Sequence, residues 1–354
     1  MRLCDLAFVP ENSILAEPII DAMGRVLLGA GVSLTAGYID RLKRLGYQTV
    51  YVQDNRLEDV KILPAISDQT RAKAYKAMGR LIDGGTERVD NARVADVRNT
   101  VQRMVNDILS CPDVMTNLQQ IIGFDDYTFH HSINTTVISL ILGVGLRYSE
   151  QQLTDLGTGA LMHDIGKTKV PEAILNKKGS LSKEEFEVVK CHTQYGFDSL
   201  RKASDLGIVS AHISFQHHEK WDGSGYPRGL KKTEILEFAR IVSIADVYDA
   251  LSSPRVYRGA FQPYEAYEYI LAKSGMEFDP KIIDTFSKKI AVYPIGSGVL
   301  LSNKQRGNVV KQNPNFPMRP WVRIFYDNDQ QLSQPKDLNL MDHPSLLITA
   351  VENM

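Results

Sequence analysis

Histidine and aspartate recur through the middle of this 354-residue chain at spacings suited to holding metal ions. His163 and Asp164 are adjacent, His192 follows, then the pair His217-His218, then Asp246, with His131 upstream. An imidazole and a neighbouring carboxylate can serve one metal, and the carboxylate keeps a second oxygen for another. A lone histidine on a helix is usually a packed or surface residue. So many in one region, in a chain with eight histidines, exceed that background. Mixed nitrogen and oxygen ligation without thiolate favours iron, manganese or zinc, whereas magnesium would want nearly all-oxygen ligands. Two metals sharing Asp164 would lower the pKa of a water between them and polarise a phosphoryl oxygen. Phosphoester hydrolysis is the reaction that suits this set.

Basic residues stand where such a reaction needs them. Lys167, three residues beyond Asp164, faces the same cleft if the turn is helical and could stabilise transition-state charge. Arg255 and Arg258 follow the segment of Asp246 and offer guanidiniums for phosphates. Asp222-Gly223-Ser224-Gly225-Tyr226-Pro227 is a loop by composition. It either presents Tyr226 to a nucleotide or merely locks two helices together, and the residues themselves do not choose. They do not choose between His130 and His131 either, because both faces of that helix are apolar. Cys191, His212 and His130 are read as structural.

Several elements must position these groups. Asp126 to Arg147 is apolar enough for a central buried helix, and the spacing predicts helices over 150–165, 182–203, 206–218, 234–251, 263–274 and 280–289. Ser149 to Gln152 and Ser182 to Glu185 match the capping box. Before this helical region, residues 1–62 read as a small module with a hairpin about Asp21 to Gly24, a helix opening at Ser33 to Thr35, and a strand over Thr49 to Val52. Residues 63–120 read as connecting helices whose modest apolar stripes suit packing on a partner. After Tyr293-Pro294, short β-type runs appear at Gly298 to Leu301, Gly307 to Val310, Trp321 to Tyr326 and Leu346 to Thr349, as in a small barrel or curled sheet. The expected fold is therefore multidomain: a central all-α bundle, a small α/β N-terminal module and a small β-rich, barrel-like C-terminal module.

Composition narrows the partners. With 43% hydrophobic and 23% charged residues the chain reads as soluble and globular. A formal net charge of -1 argues against long nucleic acids. The N-terminus carries no signal-sequence pattern, and the longest apolar run, Thr136 to Leu146, is too short to span a bilayer. Cys4, Cys111 and Cys191 form neither a disulfide framework nor a metal knuckle. A cytoplasmic location is expected.

The motifs resemble the HD-GYP family of phosphohydrolases over about residues 121–292. The resemblance is carried by Tyr127 to Asn134, Leu161 to Lys167, Val170-Pro171, Ile174 to Lys177, Lys190 to Thr193, His217 to Glu219, Asp222 to Pro227, Ala245 to Leu251 and Arg255 to Arg258. It implies an HD-type helical bundle holding metal ions, commonly iron or manganese, with zinc as an alternative. It also implies hydrolysis of cyclic di-GMP to linear pGpG, and often onward to GMP. On this resemblance His131, His163, Asp164 and Asp246 hold one metal, Asp164 bridges, and His192, His217 and His218 hold the second. Lys167 then sits at the scissile phosphate, Arg255 and Arg258 grip phosphates, and Asp249 serves either an orienting or a substrate-binding role.

Two departures stand out. A three-metal subgroup has Glu where this chain has Tyr127, so two divalent ions are expected. The family's Arg-Pro-Tyr is here Arg255-Val256-Tyr257, which keeps the charge. The alternatives are a hydrolase of another cyclic or linear dinucleotide, and a non-hydrolysing cyclic di-GMP receptor. A homodimer and regulatory protein partners acting through the terminal modules complete the expectations.

Overall fold

The computed structural model describes residues 1–21, 25–83, 91–111, 127–177, 179–203, 207–252 and 261–352. The N-terminal part holds β1 (Arg2–Asp5), β2 (Ile19–Ile20), β3 (Val26–Leu28), α1 (Ala36–Arg44) and β4 (Thr49–Val52). β1 pairs antiparallel with β4, and β2 with β3; residues 22–24 of the expected hairpin lie outside the described residues. Thr35 caps α1 by accepting from the Tyr38 amide, and Gly46, at φ +81°, supplies the left-handed residue that ends it.

Next come α2 (Asp68–Asp83) and α3 (Asn91–Leu109). They do not wait for a partner. Tyr75, Met78 and Leu81 of α2 and Val97, Val101, Met104 and Val105 of α3 are buried in one cluster with Ile133, Val137, Leu140 and Ile141. The last four belong to α4 (Tyr127–Gly145). A modest stripe is enough here because α4 is apolar on both faces. Its other face, with Ile138 and Leu142, enters a second cluster with Ile241, Tyr248, Ile282 and Phe286.

The remaining helices are α5 (Glu150–Leu161), α6 (Glu172–Leu175), α7 (Lys183–Lys190), α8 (His192–Leu200), α9 (Gly207–Gln216), α10 (Glu237–Ser252), α11 (Pro263–Ala272) and α12 (Pro280–Lys289), with a 3-10 turn over Ile165–Lys169. Both capping boxes form, at Ser149/Gln152 and Ser182/Glu185. The helix expected over 182–203 is broken at Cys191 into α7 and α8, and the one expected over 150–165 ends at Leu161. Both breaks fall beside histidines of the candidate ligand set.

The C-terminal part is a five-stranded antiparallel sheet in the order β8-β7-β6-β5-β9. Its strands are β5 (Gly298–Leu301), β6 (Gln305–Lys311), β7 (Trp321–Asp327), β8 (Gln330–Asn339) and β9 (Ile348–Glu352). Among the described residues no pairing joins β8 to β9, so the sheet stays open rather than barrel-closed. β8 escaped the sequence reading because it is polar and largely exposed, and it carries Pro335, which an edge strand tolerates. The sheet meets the N-terminal part directly. The Leu3 amide donates to Gly296 O at 3.0 Å, and Leu57, Val60 and Phe325 bury one another. Among the described residues, no helix is long and apolar enough to cross a membrane.

Candidate metal centre

Three of the candidate histidines share one local geometry. His163 lies just beyond the end of α5, His192 just beyond α7 and His217 just beyond α9. The last carbonyls of a helix have lone pairs to spare, and each imidazole donates to one of them. Nδ1 meets the carbonyl three residues back: Ala160 O at 2.7 Å for His163, Val189 O at 2.7 Å for His192 and Ser214 O at 2.9 Å for His217. A carbonyl only accepts, so Nδ1 carries the proton and Nε2 presents a lone pair. That is the tautomer a metal needs.

All three Nε2 atoms converge on Asp164. His163 stands 3.3 Å from its Oδ2, and His192 and His217 stand 3.4 and 3.7 Å from its Oδ1. His131 Nε2 approaches from α4, 3.7 Å from Asp164 Oδ2 and 2.9 Å from Asp246 Oδ1. His218 Nδ1 lies 3.8 Å from Asp246 Oδ2. The donors fall into two groups that could each hold an ion: Asp164, His192, His217 and His218, and His131, His163 and Asp164. Asp164 belongs to both, one oxygen turned to each side.

His131 differs from the other three. Its Nδ1 meets Asp249 Oδ2 at 2.7 Å, and Asp249 Oδ1 accepts from Asn134 Nδ2 at 2.8 Å. Asp249 is only 3% exposed and stands behind His131, a placement that suits the orienting role. The neighbouring His130 turns the other way, toward the Tyr75 hydroxyl, and is pushed down to about 4 by burial, helped by Arg71. Tertiary contacts make the choice that helical periodicity left open.

Burial and charge act together here. Burial alone would raise the Asp164 carboxyl, but Lys167 and His163 beside it outweigh burial and hold it well below the usual carboxylate range. Asp246 is likewise depressed: burial opposes ionisation, and the hydrogen bond from His131 overrides it. His131 would be lowered by burial, but its bonds to Asp246 and Asp249 raise it to about 9. His192 is pushed down to about 3, and His217 and His218 are also lowered, in each case first by burial. Lys167 Nζ reaches Asp164 Oδ2 at 2.5 Å with 29% of its side chain exposed, so it stands at the rim.

Close backbone packing fixes the arrangement. A Cβ on Gly166 would come within 1.9 Å of His192 O, so only glycine lets the turn after Asp164 lie against the start of α8. Ser214 Oγ donates to His163 O at 2.6 Å and ties that same turn to α9. In the Asp222–Pro227 loop, Gly225 rests on the backbone of His218 to Lys220, where a Cβ would meet Lys220 N at 2.3 Å. Buried Glu219 holds the loop's exit, accepting from the Arg228 and Leu230 amides at 2.8 and 2.9 Å. Tyr226 stacks on His218 with centroids 4.7 Å apart. The loop therefore locks this part of the backbone, and its Tyr226 ring lies against His218. Asn134, Ser214 and Glu219 carry no ligand signature of their own. Only the i, i+3 spacing of Asn134 from His131 hinted at a shared helix face. Arg255 and Arg258 lie outside the described residues.

The donor set fits a divalent cation. His163 Nε2 and Asp164 Oδ1 are buried acceptors without a hydrogen-bond partner. Such a group costs about 1–3 kcal/mol if left so. A buried array of lone pairs and ionised carboxylates, with Nδ1 protons turned outward, answers to a cation and to little else.

Fold and site together define a divalent-metal-binding helical domain of the HD class. The family model described as HD domain matches residues 103–282, and one described as KOW domain associated with HD domain matches residues 298–354. The chain belongs to the HD domain family, in its HD-GYP group. It is 31% identical over 250 residues to a cyclic di-GMP phosphodiesterase of Pseudomonas aeruginosa, covering 71% of this chain and 59% of that relative. It is 40% identical over 165 residues to a cyclic di-GMP phosphodiesterase of Thermotoga maritima, covering 46% of this chain and 45% of the relative. The chain thus spans about half the length of these two relatives. An HDG"Y"P protein from Bdellovibrio bacteriovorus shares the fold at a TM-score of 0.53 and 18% identity, over 78% of this chain and 94% of that one.

Proposed function

We propose that the chain hydrolyses the phosphodiester bonds of cyclic di-GMP, giving pGpG or GMP, with two divalent ions, iron or manganese, as cofactors. The observation that carries this reading is Asp164, buried and ionised, with its two oxygens turned to two separate groups of imidazoles. His131, His163 and Asp246 would hold one ion with Asp164, and His192, His217 and His218 the other. Bound there, divalent ions supply an activated water and Lewis acidity toward a phosphoryl oxygen.

The chain's own residues do the rest. Asp249 and the three backbone carbonyls keep each imidazole in its metal-binding tautomer. The Lys167 ammonium, at the rim, neutralises charge that develops on the phosphoryl oxygens. Tyr226 lines the entrance, and Arg255 and Arg258 are assigned to the substrate phosphates. The parts at 1–62 and 293–354 are read as modules through which regulatory partners act. The named activity of the two relatives supports the substrate.

The test is anaerobic loading with iron or manganese, a metal count per chain, and chromatography of cyclic di-GMP beside Asp164→Ala. About two metals and turnover are expected in the wild type, with a drop of at least about a thousandfold in the variant. Tight binding without turnover under every metal condition would make the chain a receptor instead.

A further inference from the structure

α7 is an unusual support. None of its residues is fully buried, yet it is fixed at its N-terminus by the Ser182/Glu185 capping box, which Lys177 strengthens by pairing with Glu185 at 2.6 Å. It runs directly into His192. On this polar helix stands Phe186, with 44% of the residue exposed. Its ring meets Tyr226 edge-on at 6.2 Å, and Tyr226 in turn stacks on His218. Lys190 Nζ sits 5.1 Å from the Phe186 centroid and 5.6 Å from that of Tyr226. Its carboxylate neighbour Glu187 is itself 68% exposed, so the pairing is of the weak surface kind. An aromatic ledge with an ammonium in its corner therefore leads from solvent to the metal-facing His218.

We propose that Phe186, Lys190 and Tyr226 form a subsite for a purine base and its adjoining phosphate, selecting a dinucleotide at the metal centre. The proposal rests on the cyclic-dinucleotide reading above and extends it to residues outside the ligand motifs. An exposed ring offers a flat face that any purine can stack on. The ammonium complements the phosphate that is not being cleaved. A local structural role also has to be met: Phe186 occupies the position where a hydrophobic staple would pair it with Leu181. A staple accounts for an apolar residue there. It does not account for an aromatic ring left nearly half exposed beside Tyr226 and Lys190.

Phe186→Leu separates the two roles, because leucine keeps a staple and removes the stacking face, while Phe186→Trp keeps both. Metal-loaded protein is titrated with cyclic di-GMP by calorimetry, and KM and kcat are measured alongside. Phe186→Leu is expected to weaken binding and raise KM about tenfold with a smaller change in kcat. Phe186→Trp is expected to stay within about threefold of wild type, and Lys190→Gln to raise KM with undiminished metal content. Wild-type affinity in Phe186→Leu, or a loss confined to kcat, would overturn the subsite. If the wild type binds cyclic di-GMP without cleaving it, hydrolysis fails and the binding comparison still decides the subsite. If it does not bind at all, both readings fall.

Discussion

Two charged clusters in this molecule are assembled from segments far apart in the chain, and they end differently. At the junction of the N-terminal part with the sheet, Arg323 Nη1 meets Asp59 Oδ1 at 2.6 Å and donates to Arg56 O at 3.1 Å. Nη2 reaches Asp59 Oδ2 at 2.9 Å, and Nε reaches Asp337 Oδ1 at 2.7 Å. The guanidinium's donors thus find acceptors inside the protein. At the metal centre the carboxylates and imidazoles converge, but His163 Nε2 and Asp164 Oδ1 stay unpartnered. One cluster closes on itself and holds two parts together. The other leaves acceptors facing one another, an arrangement that a cation among them would stabilise.

That contrast can be broken from either side. The largest effect is expected at the open cluster. Manganese at a hundredfold excess over its Kd should stabilise the folded chain by about 2.7 kcal/mol, read as a rise in Tm. Asp164→Ala should show no such rise, and an equal rise in both proteins would place the metal elsewhere. Asp249→Ala should follow, with metal affinity reduced about 10–100-fold, because His131 loses the carboxylate that orients its ring. Calorimetric titration checks this, and unchanged affinity would make Asp249 a packing residue only.

The closed cluster should respond less. Arg323→Ala is expected to cost about 1 kcal/mol in denaturant unfolding while metal content stays at the wild-type level. The smallest effect is its pH dependence. The hydrogen bond from Arg323 holds the Asp59 carboxyl below its ordinary value of 3.8. The associated stability is complete above that value and disappears as pH falls through the lowered one. Wild type should therefore lose slightly more stability than Arg323→Ala as pH falls below about 4. Parallel unfolding curves would show that Asp59 contributes nothing.

Much of the site was legible before any coordinates. His163-Asp164, His217-His218 and Asp246 stand out by residue type, and the capping boxes at Ser149 and Ser182 announced their helices and formed. The misses share a cause. Polar β8 forms because β7 pairs with it, and α2 with α3 finds its partner surface on α4. In each case the deciding surface belongs to another part of the chain.

The sequence by itself determined the chemistry available: nitrogen and carboxylate ligands without thiolate, a lysine three residues past the shared aspartate, and a glycine-rich loop bearing Tyr226. It determined also that a long apolar helix would lie at the centre, since between Asp126 and Arg147 no Asp, Glu, Lys or Arg has to be left in water. Tertiary structure alone decided that His131 faces Asp246 while His130 faces Tyr75, and that Asp249 stands behind His131. It decided as well that three helix ends meet, so that their C-terminal carbonyls set three imidazoles in one tautomer. The physical reason is range. Residue type and spacing act within a few turns of chain, whereas orientation of a buried donor is fixed by neighbours that only the folded packing brings near.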